Sequence, residues 1–102
     1  MRKLHKYLWL MLCCPHAVLK RSERCYEVYH LGIFMRWRLC SSHDHFVYEY
    51  AVFGSKTEAF QFALDNVADI GMVAYFTDIR EVKGKKSIDE LYHLFKGNYE
   101  SR

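Results

Sequence analysis

The chain has 102 residues, 51% of them hydrophobic and 17% aromatic, with a formal net charge of +3 from 15 basic and 12 acidic residues. That length bounds a single domain over 1–102, and so much apolar material excludes a disordered polymer. The mild positive balance falls short of the charge that makes nucleic-acid binding the default, and one proline with five glycines argues against long linkers.

At the N-terminus, Arg2-Lys3-Leu4-His5-Lys6 precedes Tyr7-Leu8-Trp9-Leu10-Met11-Leu12-Cys13-Cys14, the basic-then-apolar order of a signal peptide. The apolar run stops at Pro15-His16 without a small-residue cleavage site. It is also well short of the ~20 residues that span a bilayer. The expectation is a retained segment and no membrane partner. Residues 5–14 are apolar on both faces, which reads as a strand inside a sheet. A helix is the alternative, because Leu4, Leu8 and Leu12 also form a helical stripe.

Residues 15–31 admit two readings. Pro15 suits the first position of a helix, Val18, Ser22, Cys25 and Tyr29 fall on one helical face, and Gly32 is a stop; this predicts a helix. The run Cys25–Leu31 also has strand composition, with 20–24 then serving as a turn.

The strongest signal lies between Ile33 and Phe53. Two aromatic, alternating runs, 33–40 and 46–53, flank the polar break Ser41-Ser42-His43-Asp44-His45, which predicts a β-hairpin. Because side chains alternate across a strand, Ile33, Met35, Trp37 and Leu39 share a face opposite Phe34, Arg36, Arg38 and Cys40. Burying both arginines unpaired is costly, so the first set is assigned to the core. Placing Glu49 across from the arginines assigns Phe46, Tyr48, Tyr50 and Val52 to the core as well. Phe34, Arg36, Arg38, Val47, Glu49, Ala51 and Phe53 are then left on the outer face.

Thr57–Asp69 predicts a helix capped by Ser55 or Thr57, with Phe60, Ala63, Leu64 and Val67 as its buried stripe. Met72–Arg80 reads as a strand and 81–86 as a basic turn. Ser87-Ile88-Asp89-Glu90 is a capping box that opens a last helix, which buries Ile88, Leu91, Tyr92 and Phe95; residues 97–102 form a frayed tail. The expected fold class is α+β: an antiparallel sheet of about four strands with two to three helices mainly on one face. The first guess is a ferredoxin-like βαββαβ order plus a C-terminal helix.

No motif fixes a chemistry. Cys13, Cys14, Cys25 and Cys40 do not resemble a disulfide framework and suit free thiols in a reducing compartment, the cytoplasm. His43 and His45, flanking Asp44, are the weak metal candidates; the spacings of a zinc site are missing, and no metal or cofactor is expected. Cys40 beside His43 and His45 is the one imaginable nucleophile–base pairing, and no enzyme activity is expected. Gly54-Ser55-Lys56-Thr57 and Gly84-Lys85-Lys86-Ser87 place hydroxyl and lysine at helix starts, an anion cue that ordinary capping also explains.

Two binding classes remain. Phe34, Arg36, Arg38, Val47, Glu49 and Phe53 have the aromatic and arginine enrichment of a protein interface. They predict a non-enzymatic interaction or adaptor domain that uses an open sheet face or edge to bind a protein or peptide, with a homodimer as one form. The alternative is a nucleic-acid-binding or regulatory protein using Arg36, Arg38 and the basic turn with Lys83, Lys85 and Lys86.

Overall fold

The structure is a computed structural model that describes residues 3–13, 15–32, 34–44, 47–65 and 73–97; the side chains of 3, 13, 41–44, 47–50, 96 and 97 are outside that description. The chain opens with helix α1 (Lys3–Cys13) where a buried strand was expected. The physical reason is in the residues: leucine, methionine and lysine are strong helix formers, and the run contains no β-branched side chain. The two apolar faces read from the sequence are real, but they are faces of a helix.

Residues 15–31 are corrected in the opposite direction. They form the hairpin β1 (His16–Ser22) and β2 (Cys25–Leu31), antiparallel from His16↔His30 to Ser22↔Cys25, with a turn at Glu23-Arg24. Aromatic and β-branched residues at alternate positions override the helical spacing. β1 is buried through its first residues because it lies inside the sheet. There it pairs antiparallel with β2 and parallel with β7 (Val73–Phe76). The sheet is therefore mixed and five-stranded, not purely antiparallel.

The runs 33–40 and 46–53 do not pair strand to strand as predicted; residues 47–50 pair instead with 41–44, the stretch read as the turn. β3 (Trp37–Leu39) pairs with the C-terminal half of β2, and β6 (Val52–Phe53) pairs with the N-terminal half of the same strand. Between them β4 (Ser41–Asp44) and β5 (Val47–Tyr50) leave the sheet as a two-stranded arm. Val28 holds the branch point: its N–H donates to the Ala51 carbonyl at 3.0 Å, and its carbonyl accepts from Cys40 N–H at 2.8 Å. Ala51 N–H donates to the Cys40 carbonyl at 2.9 Å. The polar stretch 41–44 is thus strand, paired Asp44↔Val47, and His45 and Phe46 between them lie outside the described residues.

Helix α2 (Lys56–Asp65) covers one face of the sheet, while α1 and α3 (Ile88–Gly97) cover the other. Helices on both faces replace the one-sided arrangement expected. The βαββαβ order is not found, because the chain begins with a helix and a β-hairpin. Ser55 Oγ accepts from Glu58 N–H at 3.2 Å and Ser87 Oγ from Glu90 N–H at 3.0 Å, so both expected caps form. Ala59 and Ala63 are the fully buried positions of α2, with Phe60 and Leu64 half-buried beside them; Val67 is outside the described residues. In α3, Leu91, Tyr92 and Phe95 are buried and Ile88 packs at the edge. The strand expected over 72–80 ends at Phe76 and is followed by a 3₁₀ turn, Ile79–Glu81, capped by the Asp78 carboxylate. The tail beyond 97 lies outside the described residues.

Two cores result. Leu10, Ala17, Leu19, Leu31, Met35, Trp37, Phe76 and Phe95 fill the α1/α3 side; Val18, Tyr26, Val28, Cys40, Ala51 and Val73 fill the α2 side. Among the described residues no helix is long and apolar enough to cross a membrane.

Candidate interaction surfaces

The expected outer face of the hairpin does not form one surface. Phe34, Arg36 and Arg38 are exposed, as assigned. Phe53 instead packs under α2, its ring 5.2 Å from that of Phe62. Ala51 is buried and Val52 exposed, the reverse of the assignment, because the strand bends where the arm leaves the sheet. Backbone register sets Glu49 opposite Ser42 and Arg38 opposite His30, so the proposed Glu49–arginine pairing is lost. The side chains of Val47 and Glu49, and the core assignments of Ile33, Phe46, Tyr48 and Tyr50, lie outside the description. Met35 and Trp37 are buried as expected.

The two basic segments of the alternative reading do meet. Arg36 and Lys85 form an antiparallel bridge, and Lys86 N–H donates to the Met35 carbonyl at 2.8 Å. Met35 adopts φ 59° and Gly84 φ +79°, and these left-handed residues turn the two segments toward each other. Arg36, Arg38, Lys83 and Lys85 are exposed, and among the described residues no carboxylate pairs with them. Phe34, 64% exposed, overhangs a surface pocket of about 320 Å³ shared with Tyr7, Lys85, Lys86 and Ser87. The Ser87 hydroxyl is already engaged as a cap, and Asp89 in the same pocket holds Lys6 at 2.7 Å.

The side chains of His43 and His45, the partners expected for Cys40, lie outside the description. The Cys40 Sγ lies 3.5 Å from Nδ1 of His30, which the β2–β3 register brings alongside. Burial pushes the Cys40 thiol up to about 11, while burial and the Arg38 charge hold His30 below the ordinary imidazole range. Both shifts favour neutral thiol and neutral imidazole, the opposite of the ion pair that makes a cysteine nucleophilic. His43 contributes only described backbone and His45 none. Among the described residues no cluster of three His, Cys, Asp or Glu can hold a metal ion.

The surface that sequence reasoning missed is on α1. Lys6, Trp9 and Leu10 turn toward the body of the protein. Lys6 Nζ bonds Asp89 at 2.7 Å, the Trp9 ring sits edge-on to Tyr92 at 5.0 Å, and Leu10 is fully buried. At about 100° per residue, Leu4, Leu8 and Leu12 then point away from the body. They are 64%, 47% and 77% exposed. The i, i+4, i+8 stripe is legible in the sequence as the helical alternative, but no local signal shows that it faces outward. No protein-family model, curated protein or solved structure matches the chain.

Proposed function

We propose that this chain is a non-enzymatic interaction domain that docks a protein partner through the outer face of α1. The observation that carries the reading is the leucine ridge Leu4–Leu8–Leu12, held outward by the packing of the opposite face of α1 on α3. Three contiguous exposed leucines make an apolar patch of the kind that marks interaction sites. The neutral Cys40–His30 pair supports a role without covalent catalysis. Free thiols at Cys25 and Cys40 support a reducing compartment such as the cytoplasm. The test is affinity capture from cells of the source organism with the wild-type chain and with a Leu4→Ser, Leu8→Ser, Leu12→Ser variant. A stoichiometric partner, another protein or a second copy, that is present with the first and absent with the second supports the reading. Identical captures by both refute it.

A second reading rests on the Arg36–Lys85 bridge, which gathers basic side chains about 50 residues apart in sequence around exposed Phe34. Cations beside an exposed ring suit a phosphate backbone and an unstacked base. Binding of a labelled single-stranded oligonucleotide that weakens steeply with salt and is lost in Arg36→Ala, Lys85→Ala supports it. Absence of binding at low salt removes it.

A further inference from the structure

The geometry points to a second copy of this chain as the occupant of the leucine ridge, in an antiparallel pairing of the two α1 helices about a two-fold axis near Leu8; this rests on the docking role proposed for α1. Leu4 and Leu12 are separated by about 12 Å along the helix, with Leu8 midway. An antiparallel mate therefore sets Leu4 of one protomer against Leu12 of its partner and brings the two Leu8 side chains together. Such a patch is self-complementary, as an isologous interface requires.

Charge selects the orientation. The first turn of α1 carries Lys3, His5 and Lys6 and no acid, and its last turn carries no cation. The helix dipole favours anions at the N-terminus and cations at the C-terminus, so the first turn opposes it and the last turn leaves it uncompensated. Within the protomer Lys6 is engaged by Asp89. Antiparallel pairing brings the basic first turn of each helix beside the cation-free last turn of the other, whereas a parallel pair sets the two basic turns together. A lipid surface is the poorer match. An interfacial helix backs its apolar face with a strongly charged one, whereas the reverse of α1 is Leu10 in the core and no cation follows Lys6.

The experiment is sedimentation equilibrium of the full chain across micromolar concentrations. The expected mass is twice the 12.3 kDa protomer. Leu8→Glu weakens the dimer by at least about 100-fold, because two buried like charges meet at the axis. Its circular dichroism stays that of the wild type, since Leu8 faces outward in the protomer. Leu4→Lys mixed with Leu12→Glu restores association, whereas Leu4→Lys mixed with Leu4→Glu does not; the reverse pattern overturns the antiparallel arrangement. A monomer at every concentration, a dimer indifferent to Leu8→Glu, or a monomer that co-sediments with phosphatidylserine/phosphatidylcholine vesicles overturns the proposal. A monomer that still captures a leucine-dependent protein from cells refutes self-association and leaves the docking role standing; a monomer that captures none removes both.

Discussion

Leucine-to-alanine substitutions along α1 separate its two faces energetically. On a strand Leu8, Leu10 and Leu12 share one face and truncating them costs alike. On α1 Leu10 lies about 200° round the helix from Leu8. Leu10 is 0% exposed and packs in the cluster with Ala17, Leu19, Leu31, Trp37 and Phe95, while Leu12 is 77% exposed. Leucine and alanine have similar helix propensity, so the difference reports burial. Leu10→Ala removes fully buried methyl groups and opens a cavity, costing about 3 kcal/mol within a range of 2–5. Leu12→Ala costs less than about 0.5 kcal/mol in the protomer. With a urea m-value of about 1.5 kcal/mol/M, the first shifts the unfolding midpoint down by about 2 M and the second by less than about 0.4 M. The assay is urea unfolding followed by tryptophan fluorescence and circular dichroism, extrapolated to low protein concentration so that self-association does not contribute. Comparable losses for Leu8→Ala, Leu10→Ala and Leu12→Ala refute the helical placement of this segment and the leucine ridge with it.

Other substitutions probe the remaining elements. Gly84→Ala meets no neighbouring atom but forces a side chain into φ +79°, so it costs about 1–2 kcal/mol in urea unfolding; an unchanged midpoint shows that this turn is not left-handed. Among the described residues Trp37 Nε1–H is buried without a partner. Trp37→Phe therefore removes an unsatisfied donor and stays within about 1 kcal/mol of wild type, against about 3–5 kcal/mol for Trp37→Ala; similar costs for the two place a hydrogen bond at Nε1. The depressed pKa of His30 means that the unfolded chain takes up the proton more readily. This contribution to stability is therefore present above the ordinary value near 6.5 and is lost as pH falls through the lowered folded value. The wild-type melting temperature accordingly drops between pH 7 and 5 more than that of His30→Gln, and parallel profiles refute the assignment.

Local signals were reliable where one chemistry dominated. The cap hydroxyls of Ser55 and Ser87, the buried stripe Leu91, Tyr92 and Phe95, and the burial of Met35 and Trp37 between exposed arginines all follow from spacing and polarity. The first third of the chain misled because its patterns fit two periods. Leu4, Leu8, Leu10 and Leu12 satisfy both a strand and a helix, and apolarity outweighed the lack of β-branched residues. In 15–31 a proline and a four-residue spacing suggested a helix, although every second residue of Cys25–Leu31 suits a strand. The bend at Cys40 and Ala51 had no local signal. It arises because one edge of β2 is shared between β3 and β6, so the residues between them have no sheet to join and form an arm.

The amino-acid sequence by itself determined the α+β composition, the two C-terminal helices with their caps, the outward Phe34–Arg36–Arg38 edge and the apolar character of residues 4–12. These are consequences of side-chain chemistry and short-range period. Only the tertiary structure decided which face of α1 is core and which is free. That depends on α3, more than 70 residues away, supplying Asp89 and Tyr92 to hold Lys6 and Trp9. It also decided that Arg36 meets Lys85 and that His30 stands against Cys40. Strand register between distant segments sets these neighbours, and no local spacing encodes it.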